Sequence, residues 1–457
     1  MTHSEEVLSP DFELFGLKRP GSGAFTPPAP PRRETISLEL SLITPMFGGS
    51  TEAGQVDPDR PVNAKSIRGH LRFWWRACRA GQFASAEDMF RREAEIWGAA
   101  GEYGTDGKPV LGQGAVDLEV AIKERGQPVP CATYRKQKRD PTQYQSMPQF
   151  NDEYPAYALF PFQGKLAKDR RGIEVPPTKC LERLTFVLRL SVPGGVREEV
   201  DCALRAWILF GGVGARTRRG CGALAQAPPS DKWLHGLADL FSPHGRAEWA
   251  MFPQLGGSCV LLGERQNHLQ AWSTAVNLMR DFRQRPDFAR NPGRDNRPGR
   301  SRWPEPDSIR DVRRQWAEGH EPSHPARPFY PRADLGLPIV FHFKDGNRGD
   351  PQDPDPTLEA AGKDKTRMAS AIILKPVAIS ESQSVPLVLL LNTPHIYDEA
   401  APGAKLKEVR GQSIARTELL NAAKAGQVAP MKGEPDVRKA FLNFARNNFH
   451  VEREVIL

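Results

Sequence analysis

Residues 197–227 read REEVDCALRAWILFGGVGARTRRGCGALAQA, and their order gives a helix, a glycine-rich loop and a short strand. Val200, Leu204, Trp207 and Ile208 recur at helical spacing, which predicts a helix over Arg197–Phe210. The loop runs from Gly211 to Gly222, and the strand falls near Ala223–Ala227. The loop joins Gly211, Gly212, Gly214, Gly220 and Gly222 to Arg216, Arg218 and Arg219. Glycine lets a backbone approach a ligand closely. Arginine supplies a planar, permanently charged fork that suits phosphate. The loop therefore has the residue types that hold a polyanion. Neither of the commoner glycine loops fits. A mononucleotide loop ends in Gly-Lys-Ser/Thr. A dinucleotide loop needs a glycine where Thr217 stands, and a strand rather than a helix before it.

Upstream, Ile36, Leu38, Leu40 and Leu42 alternate with polar residues and predict a half-buried strand over Thr35–Ile43. Ser66–Arg79 reads as a helix with Ile67, Leu71, Trp74, Trp75 and Cys78 as its apolar stripe. Val116–Ile122 and Leu184–Leu190 read as two further strands. The order strand, helix, strand, strand, helix, strand is the ferredoxin-like, RNA-recognition-type plan. A long insertion separates the second and third strands and carries the basic stretch Tyr134–Arg139. Downstream, strands are expected at Ser258–Leu262, Leu335–Phe343, Ala371–Val377 and Val385–Leu391, with helices at His268–Arg283 and Val437–Phe449. The expected fold class is α+β, with two tandem ferredoxin-like domains and long loop insertions. The first domain spans 35–227, a connector 228–256, and the second domain 257–457 with an arginine-rich insertion at Arg283–Arg302. Residues 1–34 form a proline-rich lead-in, expected to be disordered.

A net charge of +8 and a pI near 9.2 suit an anionic partner. The six cysteines show no zinc or redox spacing. No apolar span or signal peptide is visible, so a cytoplasmic protein with reduced thiols, not a membrane protein, is expected.

Arg68, Arg72, Arg76 and Arg79 recur on one helical face, about 5–6 Å per step, with no acid between them. That spacing approaches the phosphate repeat of an extended strand. Trp75 borders the stripe and offers a ring for stacking, whereas Trp74 reads as core. Tyr134–Arg139 pairs an aromatic with four cations, as single-strand binders do. His70 has the chemistry of a general acid or base but no visible partner. His320 and His324 read as loop residues, and Asp57 with Asp59 as a turn. No metal, cofactor or catalytic set is assigned.

Residues 43–49, Ile-Thr-Pro-Met-Phe-Gly-Gly, and 60–76, beginning Arg-Pro-Val-Asn-Ala-Lys, resemble the start of a RAMP protein, a superfamily of CRISPR proteins. The Gly211–Gly222 loop resembles that superfamily's glycine-rich signature. The segments 301–307, 335–339 and 367–375 resemble in particular the family of the first subunit of the Cmr (type III-B) effector complex. The resemblance implies two ferredoxin-like domains in an antiviral ribonucleoprotein. It also implies contact with guide RNA and complementary target RNA near the guide 3′ side, and with other RAMP subunits. The residues expected to bind RNA are Lys65, Arg68, Arg72, Trp75, Arg76, Gly211, Gly212, Gly214, Arg216, Arg218, Arg219, Gly220 and Gly222. The resemblance favours binding over catalysis. A metal-independent RNA endonuclease using His70 and a purely structural, protein-binding cap are the alternatives.

Overall fold

The computed structural model describes residues 32–52, 54–99, 112–241, 245–293, 299–343, 356–363, 366–407 and 413–457. Most of the proline-rich lead-in (residues 1–31) and residues 294–298 of the arginine-rich insertion lie outside the described residues. The fold mixes helices with antiparallel sheets.

The first half contains β1 (Arg33–Leu42), α1 (Ala64–Arg79), α2 (Ala86–Trp97), β2 (Asp117–Arg125), β3 (Leu184–Pro193), α3 (Arg197–Phe210) and β4 (Leu224–Gln226). The strands pair antiparallel in the order β4-β1-β3-β2. Register places Leu38 opposite Leu188 and Leu188 opposite Val120, so apolar residues form rows across one face. That face meets α1 and α3. Asn63 caps α1 by accepting the Ser66 amide at 2.9 Å. Ile67 and Leu71 are fully buried, each contributing about 1.5–3 kcal/mol. The outer face of the sheet is solvated. There Glu39 pairs with Lys123, and Arg189 lies 3.4 Å from Glu119.

The second half contains β5 (Gln254–Gly263), α4 (His268–Gln284), α5 (Glu305–Arg313), β6 (Ile372–Ala378), β7 (Gln383–Asn392), α6 (Val437–Asn448) and β8 (Val451–Ile456). Its strands pair antiparallel in the order β6-β7-β5-β8. Taken in chain order within each half, this is the same arrangement as in the first sheet. Both faces of this sheet are covered. Val260, Leu262, Ile373 and Leu389 share a core with α1 and α3, whereas Leu261, Leu374 and Val388 share one with α4 and α6. Double burial explains why β6 and β7 read as continuous apolar runs rather than alternating ones. The stack is therefore sheet, helices α1 and α3, sheet, helices α4 and α6.

The expected strand at Leu335–Phe343 is corrected. Pro331–Leu335 is a 3-10 turn, and only Ile339–Val340 pairs as a strand, with residues 357–358. Leu335, Leu337, Ile339 and Phe341 are nevertheless buried alternately. Pro338 has no amide to donate to a ladder, so extended backbone gives the alternation without a long strand.

Candidate nucleic-acid interface

The α1 arginines are not a bare ladder. Glu93, on α2 and 2% exposed, accepts from Arg72 Nε at 2.6 Å and from Arg76 Nη1 at 2.5 Å. One carboxylate faces two guanidiniums, so the trio keeps one net positive charge. Arg79 is buried and pairs with Glu198 at 3.0 Å. Arg68 reaches the Val116 carbonyl at 3.5 Å. Trp75 is fully buried and donates its indole N–H to Glu199 at 2.9 Å, which leaves no ring face open for a base. Glu198 and Glu199 stand in the first turn of α3, where the helix dipole favours acids. On α1, Lys65, Ser66 and Gly69 are exposed, and Arg68, His70, Arg72, Phe73 and Arg76 are half-buried.

His70 stacks on Trp207 at 6.2 Å, and burial pushes its pKa down, which favours the neutral ring. Asp57 accepts the amides of Asp59 and Arg60 at 2.9 Å, the turn expected of it. In the insertion, Tyr134 is buried while Arg135, Lys138 and Arg139 are exposed. Lys136 sits 3.7 Å over the Tyr144 ring. The six cysteines are free and buried.

The Gly211–Gly222 loop lies at the junction of the two halves. Val213 donates to the Gly222 carbonyl, Gly222 to Pro45 and Ala215 to Phe47, at 2.5–2.9 Å. The Thr44 hydroxyl donates to the Gly220 carbonyl at 2.6 Å. A Cβ on Gly214 would lie 2.2 Å from the Phe47 carbonyl, and one on Gly220 2.5 Å from Trp272. Gly214, Gly220 and Gly222 all have positive φ. The glycines thus serve close backbone packing, and these amides are donated to protein.

The loop's arginines reach into the second half. Arg218 donates to the Ser370 carbonyl and lies 5.9 Å from the Phe73 ring. Arg219 donates to the Ile372 carbonyl at 2.7 Å, while Trp272 donates to the Arg219 carbonyl at 2.6 Å. From the opposite side, fully buried Lys375 of β6 donates to the carbonyls of Ile208 and Gly211 at 2.9 and 2.8 Å. It thereby satisfies orphan carbonyls at the C-terminal end of α3. Burial pushes Lys375 down to about 7. Arg216 adopts φ 58 and has a buried Nε without an acceptor.

Sequence spacing did not reveal Glu93, Lys375 or Trp272 as parts of this region. Each meets its partners from a distant segment.

Asp334, His395 and Asp436 group the side chains of a metal site. Asp334 is already spent, however, on Arg438 at 2.7 Å, the Ile396 amide at 2.8 Å and His395 Nδ1 at 2.7 Å. Asp436 caps α6. These bonds tie the 331–335 turn to α6.

Residues 39–225 match the model of the RAMP superfamily. No curated protein matches the sequence. Among solved structures the chain is similar to Cmr1 from Pyrococcus furiosus in its apo form, at 15% identity and a TM-score of 0.40. That likeness covers 86% of this chain and 96% of the other. It is also similar to a chain in a cryo-EM structure of the type III-B Cmr-beta complex bound to cognate target RNA. There the identity is 12% and the TM-score 0.41, covering 79% of this chain and 95% of the other. Both likenesses are distant. Among the described residues no helix is long and apolar enough to cross a membrane.

Proposed function

We propose that this chain is a non-catalytic, RNA-binding subunit of a type III-B CRISPR (Cmr) interference ribonucleoprotein. The observation that carries the reading is the RAMP match over residues 39–225, which includes the glycine-arginine loop. The net charge of +8 and the segment resemblances add to it. In this reading both halves are ferredoxin-like domains, spanning 35–227 and 257–457, and the repeated sheet order supports that. The partners are guide RNA, complementary target RNA near the guide 3′ side, and neighbouring RAMP subunits. Binding is electrostatic and directed at the sugar-phosphate backbone. Of the residues expected to touch RNA, Arg216 and Lys65 have the least protein engagement. Trp75 is enclosed, and Arg72 and Arg76 share Glu93. The stacking of His70 on Trp207 favours binding over an endonuclease built on that residue.

The test is a tagged pull-down from the source cells with proteins and RNAs identified together. Short guide RNAs with a shared repeat-derived tag, recovered with several RAMP partners, are expected. Recovery of neither would overturn the reading, and protein partners without RNA crosslinks would favour a structural cap.

A further inference from the structure

The insertion between β2 and β3 carries charge that the RNA contacts named above do not use. It contains two small hairpins. In one, Ala132–Thr133 pairs with Gln149–Phe150; in the other, Lys165–Leu166 pairs with Ile173–Val175. The base of the insertion is fixed in the protein. Phe162 stacks on Phe47 at 4.3 Å, Tyr154 packs against Trp272 of α4, and Ser273 of α4 donates to the Glu153 carbonyl at 3.0 Å. The two tips are joined to each other, because the Tyr144 amide donates to the Arg170 carbonyl at 2.8 Å. Within the first tip, the Gln145 amide donates to the Arg135 carbonyl at 2.8 Å and the Gln137 amide to the Gln143 carbonyl at 2.9 Å.

The joined tips, residues 135–145 and 166–172, bring together seven basic residues and two acids. Arg135, Lys136, Lys138 and Arg139 are exposed on the first tip, and Lys168, Arg170 and Arg171 on the second. Both acids are held in turns. Asp140 accepts the Thr142 amide at 3.0 Å, and Asp169 accepts the Arg171 amide at 3.0 Å. Among the described residues none of the seven cations forms an ion pair. Lys165, in the stem of the second hairpin, does pair, with Glu174 at 2.9 Å. Arg170 also holds a left-handed backbone, φ 58, at a turn that glycine would make without strain. The tips offer charge rather than rings. Tyr134 is buried, and Lys136 covers a face of Tyr144. A surface of unpaired like charges, held in place by backbone hydrogen bonds, gains most from a polyanion, whose binding releases counterions.

We propose that the joined hairpin tips are a second RNA-contacting surface, separate from the Gly211–Gly222 loop, that holds the phosphates of an RNA strand by charge without stacking on its bases. This rests on the RNA-binding reading above and adds to it a surface made by the insertion alone. RNA suits the tips better than an acidic face of a protein. Protein interfaces are poor in lysine and centre on buried apolar residues. Here three of the seven cations are lysines, and the insertion's exposed apolar residues Phe160, Ile173 and Val175 lie outside the tips.

The test uses the full chain and a single-stranded RNA oligonucleotide, with affinity measured across a salt series. Lys138→Gln combined with Arg139→Gln should weaken binding about tenfold near physiological salt and lower the salt slope by about 1.4. Arg170→Gly should lower the slope by about 0.7 and, by relieving the left-handed arginine, unfold at or above the wild-type temperature. Lys165→Gln combined with Glu174→Gln removes equal and opposite charges from the stem and should change neither affinity nor slope. Wild-type slopes in the tip variants would overturn the second surface alone and leave the loop reading standing. Tip variants that bind RNA normally but lose RAMP partners in the tagged pull-down would make the tips a protein-docking surface, which also overturns it. Loss of binding accompanied by a large fall in the tip variants' unfolding temperature would overturn it in favour of a structural role. A wild-type chain that binds no RNA would overturn the RNA-binding reading itself, and the second surface with it.

Discussion

The two halves share element order and sheet order but differ at the connection between second helix and last strand. In the first half that connection is the Gly211–Gly222 loop, which inserts three arginines into the junction. In the second half it is two residues, Phe449 and His450, between α6 and β8. The sheets differ as well. The first leaves a charged face in water, while the second is covered on both sides. The same topology has thus been used in two ways. One half supplies a reaching loop and a solvated sheet, and the other supplies the apolar layer and the carbonyls onto which the loop closes.

The largest expected effect comes from breaking the loop. A Cβ on Gly222 would lie 2.0 Å from the Val213 carbonyl at φ +63. Gly222→Ala should cost about 3 kcal/mol or more by urea unfolding, whereas a free surface turn would lose far less. Next is Glu93→Gln. Removing the buried charge leaves Arg72 and Arg76 without their acid and should cost about 2–3 kcal/mol, discounted because both arginines are partly exposed. A loss below about 0.5 kcal/mol would mean that solvent already screens the trio.

Lys375 tests the junction through pH. Its ordinary value is 10.5 and burial pushes it to about 7. Between those values the unfolded chain holds a proton that the folded chain lacks. Stability from this group therefore rises as pH rises from about 7. From pH 7 to 9 the wild type should gain up to about 2 kcal/mol relative to Lys375→Met. A constant difference would show that the Ile208 and Gly211 carbonyls keep the ammonium charged. A smaller effect of opposite sign is expected at Gly69, where a Cβ meets open space. Gly69→Ala should stabilise α1 by about 0.5–1 kcal/mol. Smallest is His450→Ala in the short second-half connection, whose exposed pair with Glu264 at 3.6 Å should be worth under about 0.5 kcal/mol.

Local periodicity was enough to find much of this architecture. The helix expected over Ser66–Arg79 runs over Ala64–Arg79, and that expected over Val437–Phe449 runs over Val437–Asn448. The strand Leu184–Leu190 extends to Pro193. α2 escaped notice because Met89, Ile96 and Trp97 sit among many charges. β8 escaped because Glu452, Arg453 and Glu454 interrupt its apolar pattern on an edge strand. The site was harder to read for a different reason. The residues that decide it are brought together only by folding. Glu93 reaches Arg72 and Arg76 from another helix, and Lys375 reaches the Ile208 and Gly211 carbonyls from the other half. The apparent freedom of acids along α1 was true of the sequence and not of the surface.

The most direct test of the account is photocrosslinking of the full chain to a thiouridine-bearing single-stranded RNA, with crosslinked peptides mapped by mass spectrometry. The account predicts crosslinks in the peptides carrying the Gly211–Gly222 loop. Crosslinks confined to the solvated face of the first sheet, on peptides from Arg33–Leu42 and Asp117–Arg125, would contradict it.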